Sequence, residues 1–438
     1  MEVGKEKGEY MSIYEYEEAF GSRDVTSDAM RRAIEDWFGA YYGRQQEKTD
    51  PCQRIACAIV SRLTRAAFGE YQAWGGSDFA KAALGALEEK KKEAMQLALV
   101  GGSCLIKPCL SGTGFSFTLI PRTNALIFGR DGAGNVTDMG TVERSVRGGQ
   151  YYTLLERRRL DENGCLVLEN SLYRSKSQRT LGAKVALKAN PAYASLVERY
   201  RFPASLGLGV VEMRTGMVNC VDGTAEPVSI YAPALGLMRN LDENEAQLRG
   251  EFQRGQSRIL VSADLLGQEG LQDNIFVGLD EAPEHVGMTV FAPQLREQSF
   301  LARKQEYLRN IETLVGLKRG ALCDANEDLR TATEITSSAA DYNLTVMELQ
   351  QMWEAAARKT LALCGALGKL YGLETGDTTV SFDWGNGVLH DEDKTWEDYR
   401  KMVSDGLLRP EIALGWRFNM PAETQAQQEA IRQRFMPA

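Results

Sequence analysis

The chain has 438 residues, 43% of them hydrophobic, and a net charge of −9 at neutral pH. This length and composition suit two or three domains or one elongated subunit, and they exclude a disordered protein. The acidic charge argues against a sequence-specific nucleic-acid binder, but it suits a protein that lets nucleic acid slide past without gripping it.

The first 102 residues are predicted to be helical. Ser27 is a good N-cap for a helix whose apolar face begins at Met30. Asp50-Pro51 provides a cap and a first-turn proline for a second helix. Ser77 begins a third helix, and Gly101-Gly102 is expected to end it.

Residues 103–228 change to the composition of a β region. Strong turn signals at Asp131-Gly132-Ala133-Gly134-Asn135 and at Asn163-Gly164 separate β-branched and aromatic runs, which predicts antiparallel, locally connected strands. The predicted strands are 103–108, 115–120, 125–128, 151–156 and 165–169.

Two helices are predicted around a short insert. The first helix begins at Pro233 and continues to about Arg254, and the second is opened by Pro293. Between them, three short hydrophobic runs predict a small α/β or β insert with strands at 258–261, 274–277 and 288–291.

A long striped helix is predicted over residues 331–371, after a polar loop. Apolar residues recur there in steps of three and four, which keeps one helix face in contact with another part of the structure. At 1.5 Å per residue such a helix is roughly 60 Å long, which is typical of an element that spans an assembly, although a core helix of a large domain also fits. The stripe consists of Ala339, Tyr342, Val346, Leu349, Trp353, Ala356, Thr360, Leu363, Leu367 and Leu370.

The remaining tail contains one predicted strand at 379–382. Three short helices are predicted to follow it, near 394–404, 410–416 and 422–435. The chain shows neither an internal repeat nor a low-complexity segment.

The sequence lacks the usual motifs of catalysis and cofactor binding. None of the eight cysteines forms a C-x-x-C pair and only two histidines are present, which argues against a zinc site and against a histidine-based active site. There is no phosphate-binding loop and no dinucleotide fingerprint. Acidic pairs such as Asp242-Glu243 are typical of solvated helix faces. We therefore predict no enzyme activity, no cofactor and no metal. The chain also lacks an apolar run of membrane-spanning length, and its acidic start does not match a signal peptide.

Several segments, in order, resemble the portal proteins of tailed bacteriophages, of the siphophage or prophage type found in Gram-positive hosts. The most specific is Gly316-Leu317 followed by Thr331-Ala332-Thr333-Glu334-Ile335. The resemblance covers about residues 50–420, and this chain departs from it at Arg319 and in a short 264–273 loop. The other matching segments are 98–108, 152–157, 170–175, 251–261 and 291–296.

This resemblance implies an α+β phage portal fold and gives each predicted part a role. The wing is the outward part of such a subunit, the stem is its helix pair, the clip faces outside the capsid, and the tunnel loop faces the channel. The implied parts are an N-terminal helical wing at 1–102, a β-rich wing at 103–228, a first stem helix at 229–254, a clip at 255–292, a second stem helix at 293–316, a tunnel loop at 317–330, a long wing-crossing helix at 331–373, and a C-terminal wing with a reduced crown at 374–438.

The implied function is that of a ring, usually a dodecamer, at one vertex of the capsid. Double-stranded DNA would pass through it without sequence specificity during genome packaging and ejection. The implied partners are the terminase large subunit, the head–tail adaptor, and the major capsid and scaffolding proteins. The implied location is the virion, with assembly in the host cytoplasm and no contact with a membrane.

Two sets of exposed residues follow from these roles. In the tunnel loop, a few basic residues beside acidic ones would contact DNA phosphates without holding them; the set is Lys318, Arg319, Asp324, Glu327, Asp328 and Arg330. Alternatively, Arg330 caps the long helix and Lys318 and Arg319 are solvated ends of the preceding helix. The clip residues expected to dock terminase or adaptor are Gln268, Glu269, Asp273, Glu281 and Glu284, unless the insert only supports the subunit.

Two other classes of function remain open from the sequence. One is a different structural protein of a phage head or tail, such as an elongated connector or a minor capsid protein. That class does not account for the order of helix, insert, helix, loop and long helix. The other is a cytoplasmic enzyme that acts through acidic pairs, which the absence of catalytic motifs disfavours.

Overall fold

The computed structural model describes residues 13–43, 52–112, 114–255, 258–262, 276–279, 289–291, 294–324, 332–385, 392–418, 420–422 and 424–436. Within these ranges the protein is a mixed α+β chain with eleven α-helices and several antiparallel sheets, as the predicted fold class requires. It divides into two compact units. The first consists of residues 1–64 and 75–380, and the second of residues 65–74 and 381–438.

The N-terminal part contains five helices and one short strand. Ser27 and Ser77 cap their helices as predicted, each accepting a backbone N–H through its side chain. The helix predicted to begin after Asp50-Pro51 begins at Ile55, and residues 44–51 lie outside the described part. The elements are α1 (Ile13–Phe20), α2 (Asp28–Tyr42), α3 (Ile55–Ala67), β1 (Gln72–Gly75), α4 (Asp78–Glu88) and α5 (Lys91–Gly101).

The prediction of one continuous helix from Ser77 to Gly101 is wrong. The helix ends at Glu88, and a 3₁₀-type bond from Lys90 N–H to the Leu87 carbonyl turns the chain before α5 begins. The two helices share β3 as a partner but differ in their other contacts, because α4 contacts the long helix at 332–370 whereas α5 contacts α2 and β2. No glycine or proline marks this break, so packing rather than local propensity determines it.

Two antiparallel sheets form residues 103–228, as predicted. The strands are β2 (Ser103–Ser111), β3 (Gly114–Pro121), β4 (Ala125–Arg130), β5 (Val136–Arg147), β6 (Gln150–Leu160), β7 (Leu166–Ser175), β8 (Ala183–Val185), β9 (Arg199–Arg201) and β10 (Val211–Arg214). The smaller sheet has the order β10-β2-β3; in the larger, β4 to β8 are consecutive and β9 also pairs with β7. Strand β5 was not predicted, although it is the longest, and β10 returns to pair with the distant β2.

Both faces of the larger sheet are covered by other parts of the chain. Leu155 packs against Tyr16 of α1, whereas Tyr152 packs against Tyr193 of the segment after β8. Because these two β6 residues are three positions apart, they lie on opposite faces of the sheet. The sheet is therefore a central layer of this region.

A buried carboxylate connects the two sheets. Glu156 on β6 is 5% exposed; its carboxylate lies 3.4 Å from the Lys107 ammonium on β2 and accepts a 2.8 Å bond from Arg158. Burial opposes ionisation of Glu156, but the two cations outweigh it and hold its pKa below the ordinary value. The paired charges therefore remain ionised inside the fold.

Helices α6 (Leu235–Arg254) and α7 (Glu297–Leu314) form an antiparallel pair. Asn244 donates to the Phe300 carbonyl at 3.2 Å. Near the C-terminus of α6, Glu251 accepts two bonds from Arg296, at 2.8 and 3.0 Å. Proline 233 lies in a 3₁₀ turn just before α6. The second helix begins at Glu297 rather than at Pro293, which lies outside the described part.

Three short strands lie between α6 and α7. They are β11 (Arg258–Ser262), β12 (Phe276–Leu279) and β13 (Thr289–Phe291), and they form a mixed sheet in the order β12-β11-β13. Strand β12 is parallel to β11, whereas β13 is antiparallel to it. The insert therefore has its own sheet, close to the predicted strand positions.

The long helix α8 (Ala332–Leu370) has 39 residues, and its bounds differ by one residue from those predicted. Its stripe is buried from Val346 to Leu367, and Trp353 is fully buried. The stripe does not extend to Leu370, the last residue of the helix, which is 38% exposed. Helix α8 packs on α4 and on strands β2 and β10.

The second unit contains three helices after strand β14 (Val380–Asp383), which pairs with β1. The helices are α9 (Glu392–Ser404), α10 (Pro410–Arg417) and α11 (Gln425–Phe435), at the predicted places. Glu411 of α10 is 2% exposed and is bonded by Arg432 of α11. A hydrogen bond from its own backbone N–H, and then this arginine, lower the pKa of Glu411.

Candidate functional site

The loop after α7 begins with a tight helix C-terminus. Gly316 has a φ of +66°, and the Leu317 N–H donates to the Glu312 carbonyl at 2.9 Å, which is the six-to-one bond of a Schellman motif. A Cβ on Gly316 would lie 2.1 Å from the Thr345 hydroxyl of α8. Only glycine therefore permits both this backbone conformation and this approach to the long helix.

The Glu312 carboxylate holds the next part of the loop. It is 1% exposed, and it accepts the backbone N–H groups of Gly320, Leu322 and Cys323 at 3.1, 2.5 and 3.0 Å. The Cys323 thiol donates to the same carboxylate at 3.1 Å. Four donors on one buried acceptor group fix the backbone of residues 320–323 against α7.

A second contact holds the loop about two helical turns further back along α7. Gln305 accepts from the Asp324 N–H at 2.8 Å and donates to the Asp324 carboxylate at 2.8 Å. Arg319 donates to the Arg309 carbonyl at 3.1 Å. The described half of the loop thus folds back along the helix from which it leaves.

The Cys323 thiol is part of this arrangement rather than a reactive group. Burial, and then the Glu312 carboxylate that accepts its hydrogen bond, raise the pKa of Cys323 above the ordinary value. The thiol therefore remains protonated at neutral pH and keeps donating to Glu312. A protonated buried thiol is also a poor nucleophile and a poor metal ligand.

Three of the six predicted tunnel-loop residues lie in the described part. Lys318, Arg319 and Asp324 are all exposed, so the fold-back presents their side chains to solvent. Arg319 bonds to the Arg309 carbonyl of α7. Contact of Lys318 and Arg319 with DNA stays a prediction, as does the alternative that they are solvated ends of that helix. Glu327, Asp328 and Arg330 lie outside the described residues, as do the clip residues Gln268, Glu269, Asp273, Glu281 and Glu284.

The sequence reasoning missed Glu312 and Gln305. A usable signal existed for Glu312, because it lies between Leu308, Ile311 and Val315 on the apolar face of α7. An acidic residue on such a face needs a buried partner. Gly316 and Gly320 both have positive φ angles in hydrogen-bonded turns.

A cavity of about 220 Å³ lies among strands of the β region. Two arginines of its lining, Arg122 and Arg130, both pair with Glu226, which also lines the cavity. Across the described ranges, no group of three or more histidine, cysteine, aspartate or glutamate residues is arranged to hold a metal ion. In the same ranges, no helix has the length and apolar character needed to cross a membrane.

Comparison with known proteins shows similarity in fold alone. No protein-family model matches the chain, and no curated protein matches its sequence. The fold is similar to that of a chain from the "Neck of native GTA particle computed with C12 symmetry", with a TM-score of 0.52 and 12% identity, over 94% of this chain and 99% of that chain. A chain of the "Neck of empty GTA particle computed with C6 symmetry" aligns over 91% of this chain and 100% of that chain, with a TM-score of 0.48 and 12% identity. GTA denotes a gene transfer agent, a phage-like particle. Nearly the whole chain thus shares its fold with a component of a particle neck.

Proposed function

We propose that this chain is a portal protein, whose ring at one capsid vertex admits and releases double-stranded DNA. The observation that carries the proposal is the order of elements. An antiparallel helix pair flanks a small sheet, a folded-back loop follows, and a 39-residue helix returns to the β region. The fold similarity to a neck chain computed with C12 symmetry covers 94% of the chain and supports a twelve-subunit ring.

The proposed channel element is the loop from Gly316 onwards. Its described part presents Lys318, Arg319 and Asp324 to solvent from a backbone fixed by Glu312. A few cations give transient contacts with phosphates, and neighbouring acidic residues keep the total attraction small. DNA can then slide past the loop without being held.

The proposed docking element is the insert between α6 and α7, with terminase and the head–tail adaptor binding there in turn. The major capsid and scaffolding proteins would surround the ring in the assembling virion. No step of this function requires the chain to hydrolyse anything, because the terminase supplies the energy for packaging.

Purified full-length protein should assemble into rings with a central hole. The expected mass is near twelve times the 48.6 kDa chain, because the fold matches a chain of a C12 neck. Negative-stain electron microscopy shows the hole, and sedimentation equilibrium gives the subunit number. Compact monomers at all concentrations would contradict the proposal. Rings that assemble into particles without admitting DNA would favour a different connector of the neck.

Changing the charge of the loop should change DNA retention but not ring formation. The variant Lys318→Ala/Arg319→Ala removes two positive charges, so DNA should slip more readily. The variant Asp324→Lys/Glu327→Lys/Asp328→Lys should hold DNA more tightly and stall filling, because each added phosphate contact increases counterion release.

The measurement is in vitro packaging at several salt concentrations, with ring formation followed in parallel. The two variants should differ from the parent in opposite directions, and both differences should shrink as salt rises. Unchanged filling by both variants at every salt concentration would exclude this loop as the DNA-facing element.

A further inference from the structure

One end of the six-stranded sheet carries a concentration of positive charge. Strands β5 and β6 meet there at the turn 147–150, and β7 and β8 meet there through the loop 175–183. Arg147 of β5 pairs with Gln150 of β6. Tyr152 of β6 pairs with Arg174 of β7, and Arg174 also pairs with Ala183 of β8. We call this end of the sheet the basic end; its residues are Arg147, Arg174, Lys176, Arg179 and Lys184. Arg147 and Arg174 lie on one face of the sheet, whereas Lys184, which pairs with Tyr173, lies on the other.

The charge of the basic end is not balanced locally. All five side chains are exposed, and no described carboxylate lies within ion-pair distance of any of them. Residues 170–197 contain no aspartate or glutamate, although the chain as a whole has a net charge of −9. Glu15 and Glu143, which bond to this region, accept from the Leu181 N–H and the Tyr193 hydroxyl.

The loops that present these cations are well ordered by their own bonds. Gly148 and Gly149 both have positive φ, as a tight two-residue hairpin turn requires. In the other loop, the Ser175 and Thr180 hydroxyls are 2.7 Å apart, and the Ser177 N–H donates to Ser175. Leu181 is buried and anchors the end of this loop. The cations therefore project from a fixed support, which reduces the entropy lost on binding.

We infer that the basic end binds the phosphate backbone of a double-stranded nucleic acid, as a second nucleic-acid surface that shares no residue with the tunnel loop. Neighbouring strands are roughly 4.8 Å apart, so four strands span roughly 14 Å. A duplex carries one charge per roughly 1.7 Å of axis, so several phosphates fit this width. Ser177 and Gln178 add neutral donors of the kind typical of phosphate contacts.

The surface chemistry favours a duplex over an acidic protein or a single strand. A protein interface needs an apolar or aromatic centre, and Val146 is the one large exposed hydrophobic residue within 144–150 and 174–186, all of which the structure describes. A single strand is usually bound by stacking its bases on exposed aromatic rings. Near the basic end, Tyr152 is buried and Tyr151 and Tyr173 are half-buried, so none of the three presents an exposed ring.

The test compares two triple variants of equal net charge. Arg174→Gln/Lys176→Gln/Arg179→Gln removes three cations from the basic end. Lys92→Gln/Lys359→Gln/Lys369→Gln removes three exposed cations from α5 and α8. Binding of the full-length protein to a labelled 30-base-pair DNA duplex of mixed sequence is measured by fluorescence anisotropy between roughly 50 and 200 mM salt.

The basic-end variant should bind DNA at least tenfold more weakly at the lowest salt. The slope of log affinity against log salt should fall by roughly one per residue changed. The control variant should match the parent. Equal loss in both variants, or no loss in either, would overturn the inference. Tighter binding to poly-glutamate than to DNA would assign the surface to an acidic protein and overturn it as well.

Two further arms complete the test. A duplex RNA of the same length identifies which nucleic acid binds better, and binding of either supports the inference. Electron microscopy of the same samples reports ring formation independently. Rings without DNA binding would overturn this inference alone, whereas DNA binding without rings would contradict the proposed ring and leave this surface standing.

Discussion

Replacing Leu349 and Trp353 by aspartate is expected to abolish folded rings. Trp353 is fully buried and Leu349 is 4% exposed on the stripe of α8. Burying an unpaired carboxylate costs several kcal/mol at each site, and the tryptophan packing is lost in addition. The sum is comparable to the total stability of a typical domain, about 5–15 kcal/mol.

The control for this variant carries the same two charges on the exposed face of the same helix. Gln351→Asp/Ala355→Asp should fold and unfold like the parent, since both positions are exposed. Circular dichroism measures the thermal midpoint, and light scattering measures the assembly. Intact rings from Leu349→Asp/Trp353→Asp would show that this face of α8 is not buried in the assembled protein.

Replacing Glu312 by alanine is expected to release the loop that follows α7. The backbone N–H groups of Gly320, Leu322 and Cys323 lose their shared acceptor. Leaving such partly buried donors without a partner costs about 3 kcal/mol locally. Hydrogen exchange at these three amides should therefore accelerate by more than tenfold, since 1.4 kcal/mol corresponds to a factor of ten.

Two companion variants separate the role of the Glu312 carboxylate from a general effect of shortening the side chain. Glu306→Ala, on an exposed part of the same helix, should leave exchange at the three amides unchanged. Glu312→Gln retains one acceptor oxygen and should show an intermediate increase. If Glu312→Ala left the exchange rates of these amides at the parent values, the carboxylate would not be what fixes the loop. Ring formation should survive in all three variants, because the stripe of α8 is untouched.

Much of the secondary structure was predictable because its signals are local. Ser27 and Ser77 mark helix starts, and the Asn163-Gly164 turn marks the β6–β7 hairpin. The stripe of α8 predicted a helix whose bounds differ by one residue from those found. Each of these signals depends on residues within a few positions of one another, where side-chain and backbone bonds form irrespective of the rest of the chain.

The candidate site was predictable only in part. The sequence places Lys318, Arg319 and Asp324 in a polar loop between two helices, and the structure exposes all three. It gave no prediction that Glu312 and Gln305 fold this loop back along α7, since those bonds join residues 8 to 19 positions apart. The basic end was missed for a related reason. The net charge of −9 describes the whole chain, whereas residues 170–197 carry no acidic side chain.

The sequence by itself determined the α+β class, the order of the helix pair, its insert and the long helix, and the face of α8 that is buried. These depend on periodicity, capping and turn residues, all of which act over short distances. Only the tertiary structure decided the break between α4 and α5, the return of β10 to β2, and the grouping of Arg147 with Arg174 at one sheet end. The physical reason is that packing and strand register join segments far apart in the chain, so their free energy depends on pairs of surfaces rather than on a local pattern.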